Sequence, residues 1–460
     1  MTPRGPAPTA NPLTRAIAAL AGLTPSGRAG VPVSWALYDF ANTVYSYAIV
    51  SYAMGLWTVG RLGPADGQFW FGIANALSVG LNAAVSPVLG AMSDRGGRRL
   101  PFLAFFTAQT IIATALIGLL TNGTGSGLAF LGLALFTIAN FSYQAALIYY
   151  DATLPVVSKP ESRGRVSGIG VGVGYIGTIV IGLLILLTSS EDSPLTFLMA
   201  AALFAIFGAP IFFAVRERAT SDYRFRVADA LASWSQLATT LRDAREVPGL
   251  LRFLAARFFY TDPVNTVIVV MAVFATEAIG FTKGEANMVL LALTIAAVFA
   301  SFGWGVLVER IGPKRTLMFV LGTWCVGLFI AGAVLSKPTF LLAGLLLGSG
   351  LGGVWTSDRV FMLRLSPKDK IGEFFGLYGL AGKFSAATGP VLYGVIVSTM
   401  LNAGYGAFSY QVGIFSFLIL MFVGVWLLRG VPDPGAEGSD AVAPPEHLMP
   451  SSDMPGSARH

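Results

Sequence analysis

Charge is scarce in this chain. Only 12% of its 460 residues are Asp, Glu, Lys or Arg, about half the roughly 25% typical of a soluble protein. So few charges cannot cover the surface of a soluble fold of this length. Cysteine is almost missing as well: Cys325 stands alone, which excludes an internal disulfide and a cysteine-built zinc site. Histidine occurs only at His447 and His460, in the C-terminal tail, so no haem or His-ligated metal is expected in the body of the chain. There is no G-x-x-x-x-G-K-[ST] loop and no nucleotide-binding domain, which argues against ATP-driven pumping. No apolar run contains a histidine or a serine-centred elbow, so a membrane-embedded enzyme is not expected, and no cofactor is implied.

What is present is apolar residue and glycine. Hydrophobic residues make up 54% of the chain and glycine 54 positions, and the mean hydropathy is +0.69. A membrane helix needs about 20 apolar residues. Spans are expected near 34–59, 68–92, 101–120, 127–150, 166–188, 195–215, 250–279, 285–307, 316–335, 338–361, 372–399 and 407–428. The tenth is the least regular, with Asp358 and Arg359 at its end. The chain therefore reads as an all-α membrane protein of twelve transmembrane helices.

The basic residues test that count. Of the 30 Lys and Arg, 25 fall in the termini and in every second connection. Only Arg61, Lys283 and Lys337 fall in the others, while Arg257 and Lys383 lie inside spans. By the positive-inside rule both termini are cytoplasmic, which requires an even number of spans. The net charge of +6 thus reflects topology rather than nucleic-acid binding.

Residues 1–32 are rich in Pro, Gly and Ala and read as a disordered cytoplasmic N-terminus. The apolar run Ile17–Leu23 is too short to span, and a cleaved leader is not expected. Residues 431–460, rich in Pro, Ser and Gly, read as a disordered cytoplasmic tail. Between the halves, 216–248 carries Leu231, Trp234, Leu237 and Leu241 at helical spacing among basic residues, the pattern of an amphipathic helix on the membrane surface.

The two halves echo each other. Asp39-Phe-Ala-Asn42-Thr43-Val44 in the first span returns as Asp262-Pro-Val-Asn265-Thr266-Val267 in the seventh. Gly90-Ala-Met-Ser-Asp94-Arg95-Gly-Gly97-Arg98-Arg99 returns as Gly305-Val-Leu-Val-Glu309-Arg310-Ile-Gly312-Pro-Lys314-Arg315. Asp151 precedes Pro160 by nine residues, as Asp358 precedes Pro367. Three matches in order, at shifts of 207–223 residues, indicate a parallel duplication: two pseudo-symmetric six-helix bundles, 33–215 and 249–430. Transporters built this way bind substrate near the midplane between the halves.

The loop Gly90–Arg99 resembles the signature loop of the major facilitator superfamily, over roughly 34–430. Trp35-Ala-Leu-Tyr-Asp-Phe-Ala-Asn42, Arg163-Gly-Arg-Val-Ser-Gly-Ile-Gly170 and Glu373-Phe-Phe-Gly-Leu-Tyr-Gly-Leu-Ala-Gly-Lys-Phe384 with Gly389-Pro390 resemble its vacuole-effluxer-like branch, related to the autophagy amino-acid effluxer. The resemblance implies a gate role for the loop acids and arginines. The chain departs from the pattern at Thr261-Asp262-Pro263, where the proline is expected to kink or soften the seventh span.

Ionisable groups inside a bilayer are costly and each is a functional candidate. Lys383 lies eleven residues into its span, about 16 Å deep, as a cavity cation for an acid or a substrate carboxylate, or as half of a structural ion pair. Its repeat-mate is Ile176, so this charge is unique to one half. Asp39 with Asn42, and Asp262 with Asn265, each place acid and amide on one helix face. They line the cytoplasmic half of the path, one acid carrying a proton, or else anchor helices and pair with Arg257 or Lys383. Arg257 itself is read as reaching the headgroups. Tyr38, Asn140 and Gln144 are further candidates for the path, as are Asn75, Asn82 and Tyr45, each equally suited to bonding a neighbouring helix. Asp94, Arg95, Arg98, Asp151, Arg163, Arg165, Glu309, Arg310 and Asp358 form the candidate cytoplasmic gate. The alternative, positive-inside anchoring, explains the arginines but not Asp94. Gly168, Gly170, Gly172, Gly174 and Gly177 read as close helix packing rather than a phosphate loop.

The expected function is secondary transport of a small solute by alternating access, with an amino acid or related metabolite and export favoured and protons as the coupling ion. A non-transporting scaffold or sensor on the same fold is the alternative. The expected partners are a small-molecule substrate, protons and the lipid bilayer, with no nucleic acid, in a monomer. The expected location is a bacterial inner membrane, with a vacuolar membrane as the alternative.

Overall fold

In the computed structural model the described residues are 18–96, 99–120, 125–159, 163–188, 193–217, 238–366 and 371–433. Their secondary structure is helical throughout. Helix α1 is Gly30–Tyr45, followed without a break by a π-helical segment, Ser46–Ala53, and by α2, Met54–Gly96. The others are α3 (Leu100–Leu120), α4 (Ser126–Ala152), α5 (Arg163–Thr188), α6 (Pro194–Gly208), α7 (Leu250–Val273), α8 (Lys283–Ile311), α9 (Pro313–Ala333), α10 (Lys337–Leu365), α11 (Ile371–Asn402) and α12 (Phe408–Arg429). A second π-helical turn, Phe274–Ala278, follows α7.

Among the described residues eleven helical stretches are long and apolar enough to cross a membrane, and the first, Gly30–Ser86, holds 57 residues. At 1.5 Å per residue that is about 85 Å, far more than one crossing of a roughly 30 Å core. The stretch is broken at Gly63, which has a φ of 82° inside otherwise helical backbone. Only glycine adopts that conformation without penalty, and the following Pro64 removes a helical N–H. The first stretch therefore carries two spans, and the total is twelve.

Helix starts follow local chemistry. Thr282 accepts from the Glu285 N–H while Glu285 bonds back to the Thr282 N–H, a full capping box opening α8. Ser336 caps α10, and Gly312, at a φ of 86°, turns the chain from α8 into α9. Large apolar side chains such as Leu187, Phe213, Phe299 and Trp426 point outward and are mostly exposed. In water this would be a liability; in lipid it is the expected surface.

Within the first half α1 packs on α5 and α6, α2 on α4, and α3 on α4 and α6; in the second half α7 packs on α11 and α12, α8 on α10, and α9 on α10 and α12. Each pairing recurs six helices later, so the sequence duplication is a duplication of packing. Glycines set the closest approaches. A Cβ on Gly177 would come 2.5 Å from the Phe40 carbonyl, pressing α5 onto α1.

Three details differ from the sequence reading. Residues 18–29 are not featureless: a short helix leads to Leu23, which is buried and whose carbonyl accepts from the Lys159 N–H. The first span begins at Gly30, four residues before the expected start. Helix α7 runs on through Pro263 without a break. Of the surface-helix residues in the linker, Leu231, Trp234 and Leu237 lie outside the described residues.

Candidate functional site

The halves meet along α2 with α11 and, more sparsely, α5 with α8. Many direct bonds between them cluster at the end away from the chain termini. Tyr47 donates to Asn287 Oδ1 at 2.6 Å, and Asn287 Nδ2 donates to the Gly182 carbonyl at 2.9 Å, so one amide ties the first span, α5 and α8. The Tyr52 hydroxyl bonds the Lys283 carbonyl. A Cβ on Gly72 would sit 2.5 Å from the Pro390 carbonyl, and one on Gly394 3.0 Å from the Gln68 carbonyl. Both tyrosines stand on the π-helical segment, an irregularity frequent at functional sites.

Asn287→Ala removes the bridge that joins three helices. It is expected to loosen this end, raising maleimide labelling of a Ser51→Cys probe from that side in a Cys325→Ser background. Unchanged labelling would mean that packing alone holds the seal.

Inward of the seal lies a cavity of about 310 Å³ walled by both halves. Thr43, Ser46, Tyr47 and Ser51 come from the first span, and Tyr175 and Thr178 from α5. The second half adds Met271, Thr294, Trp324, Phe340 and Trp355, among others. Hydroxyls and aromatic rings dominate its polar surface; among the described residues no Asp, Glu, Lys or Arg lines it. None of the residues assigned to the pathway from the sequence is in its wall. Serine and threonine within spans are hard to single out, because most only bond back to their own helix.

The intramembrane charges lie around the cavity rather than in it. Lys383 donates to Asn82 Oδ1 at 2.9 Å, a bond between α11 and α2 that crosses the halves. Asp151, at the end of α4, is exposed, and the cations that act on it are Arg359 and Lys383. The Asp39 carboxylate lies over the α5 glycines: a Cβ on Gly170 or Gly174 would come 3.3 Å from its Oδ2. Asn42 is buried, and its side-chain amide is the neutral partner that acts on the Asp39 carboxylate. Asp262 is 3% exposed. It accepts from Thr388 at 2.6 Å, and its approach to α11 depends on Gly389, where a Cβ would come 2.1 Å from Asp262 Oδ1.

Arg257 does not reach outward. It is 4% exposed and lies 3.4 Å from Asp358, which is fully buried. Arg257 also lies over the Tyr378 ring, 3.6 Å from its centroid, and Tyr378 donates to Asp358 at 2.8 Å. Arg257 therefore pairs with neither Asp39 nor Asp262. Asp358, expected at the gate, is instead part of the core of the second half, because α7 supplies a cation facing it. Tyr38 and Asn140 are likewise internal to the first half: Tyr38 bonds Thr107, and Asn140 bonds Asn75 and Ser78. Gln144 and Asn265 are half-buried, and Arg310 is exposed. Arg98 lies outside the described residues, as do the side chains of Asp94, Arg95, Arg163, Arg165 and Glu309.

Two six-helix bundles of matching architecture, sealed at one end around a shared cavity, define the class: an integral membrane protein with the twelve-helix fold of secondary transporters. The chain belongs to the family described as "Vacuole effluxer Atg22 like", whose pattern matches residues 70–434. It is 27% identical over 417 residues to the uncharacterized MFS-type transporter YxiO of Bacillus subtilis, covering 87% of this chain and 94% of that one. It is 25% identical over 267 residues to autophagy-related protein 22-2 of Aspergillus clavatus, covering 50% of this chain and 43% of the fungal protein. Among solved structures, the nucleoside transporter NupG superposes with a TM-score of 0.67 at 14% identity, over 87% of this chain and 99% of that one. The D-xylose-proton symporter superposes with a TM-score of 0.65 at 14% identity, over 91% and 98%. These likenesses establish the fold, and the family makes the chain a secondary transporter of a small molecule rather than an enzyme.

Proposed function

We propose that this protein exports a small metabolite, an amino acid or a related compound, from the cytoplasm across a bacterial inner membrane by alternating access, with protons as the coupling ion. The observation that carries the reading is the cavity walled by both halves and sealed at one end by bonds between them. Rocking the halves about it would break the Tyr47–Asn287 bridge and expose the cavity to the far side. By the positive-inside rule the open end would face the cytoplasm. Asp94, Arg95, Arg98, Arg163, Arg165, Glu309 and Arg310 would gate that end, with Asp151 facing Lys383 and Arg359 from the opposite half.

Asp262 is the proposed proton carrier. A hydroxyl both donates and accepts. Thr388 donates to the Asp262 carboxylate and has the Ser385 carbonyl 3.1 Å away as a second acceptor. Turning that hydroxyl to Ser385 lets Thr388 accept from a protonated Asp262, so one pair of residues serves both states. The export reading takes its support from the family described as a vacuole effluxer, and the amino-acid reading rests on the motif resemblance of Trp35–Asn42, Arg163–Gly170 and Glu373–Phe384.

Proteoliposomes preloaded with radiolabelled amino acids, nucleosides, sugars or organic acids test the function. Efflux accelerated by the protein and by an inward proton gradient is expected for one of these classes. Folded protein that moves none of them, with or without a gradient, would favour a scaffold or sensor on this fold.

A further inference from the structure

The cavity and the charges around it constrain the chemistry of the solute. Among the described residues the cavity wall carries no charge, and its polar groups are hydroxyls and aromatic edges. A charged group placed there would lose its water and gain no counter-ion. The part of the solute that enters is therefore uncharged.

Asp39 lies one helical turn from Thr43, towards the termini, and the two side chains touch the same place on α5. A Cβ on Gly174 would come 3.1 Å from Thr43 Cγ2 and 3.3 Å from Asp39 Oδ2. Thr43 and the neighbouring Tyr175 both line the cavity, so the Asp39 carboxylate stands at its edge. Among the described residues no cation is placed against Asp39; the charge acting on it is a second carboxylate, Asp151. Lys383, the nearby cation of the other half, donates to Asn82, and the carboxylate its charge acts on is Asp151 rather than Asp39. The edge of the cavity thus presents the Asp39 carboxylate beside aromatic rings, a setting that attracts an ammonium and repels a carboxylate.

We propose that the cavity binds a primary amine with an uncharged apolar or aromatic body, the body enclosed between the halves and the ammonium held at Asp39. This rests on the transporter reading and narrows it: the ammonium is required, and a substrate carboxylate on Lys383 is not.

Three probes that share one ring separate the possibilities: phenethylamine, phenylacetate and 2-phenylethanol. Trp324 and Trp355 line the cavity, so binding to the full-length protein in nanodiscs is read as a change in tryptophan fluorescence. Phenethylamine is expected to bind at least about tenfold more tightly than phenylacetate. Asp39→Asn is expected to lower amine affinity by about the same factor while leaving the alcohol unchanged, and Asp39→Glu to keep the preference. Thr294→Phe, which fills the cavity, is expected to weaken amine and alcohol together, and Lys383→Ala to alter neither. Phenylacetate binding as tightly as the amine, or an amine affinity indifferent to Asp39→Asn, would overturn the proposal. Flux in proteoliposomes separates the two readings. Selective binding of the amine with no transport of any solute would leave the site standing and remove the transporter. Transport of some solute without amine preference would do the reverse.

Discussion

Replacing Arg257 by Ala is expected to cost the protein about 3–5 kcal/mol, the range found when one partner of a buried ion pair is removed. The loss follows from what stays behind. Asp358 is fully buried, and without Arg257 it keeps hydrogen bonds from Tyr378 at 2.8 Å and Tyr260 at 3.5 Å and the weaker pull of Arg359. Two hydroxyls cannot replace a guanidinium for a carboxylate deep in a helix bundle. Removing both charges, as Arg257→Met with Asp358→Asn, is expected to restore much of the stability, because no uncompensated charge remains. Melting temperatures of the purified variants in detergent check this. A single variant as stable as the wild type, or a double variant no better than the single, would show that the pair is not what holds α7 against α10. The duplication supplies a control. The position matching Arg257 in the first half is Ser34, and Asp151 matches Asp358. Asp151 has no such buried partner and is exposed, so Asp151→Asn should leave the melting temperature close to that of the wild type.

Asp262→Asn should abolish proton-driven transport while leaving exchange intact. Asparagine keeps the shape and can still accept from Thr388, so the contact between α7 and α11 over Gly389 survives. What it cannot do is take up and release a proton. Gradient-driven flux is expected to fall to the level of empty liposomes, whereas counterflow with solute on both sides persists, since exchange needs no net proton movement. Thr388→Val removes the hydroxyl that serves both states and should slow gradient-driven flux more than counterflow. If Asp262→Asn still accumulates solute against a gradient in response to pH, Asp262 is a structural carboxylate and the coupling group lies elsewhere, with Asp39 the next to examine.

Much of the architecture is readable without coordinates. Span number, the equivalence of the halves and the alternation of basic connections depend on quantities summed along the chain: apolar length, the count of Lys and Arg, and recurring motifs. These are local, and the bilayer leaves few alternatives to a helix of about 20 apolar residues. The glycine series of the fifth span was legible as a close-packing surface for the same reason, and Gly170, Gly174 and Gly177 are the members that meet α1.

Partners and cavity walls were decided by tertiary structure. Lys383 and Asn82 are 301 positions apart, and Tyr47 and Asn287 240 apart. Nothing in composition or period says which helix faces will meet over such separations. The same residue types therefore diverged: Asp358 found a cation within its own half, Asp151 faces the opposite half, and Asp262 is held by hydroxyls. The cavity was the least legible feature. Its serines, threonines and tyrosines look in sequence like any others inside a span, and only the approach of the two halves leaves this set unfilled. Hydrophobic length determined that the chain crosses the membrane twelve times; side-chain packing between distant helices decided where within it a solute has room.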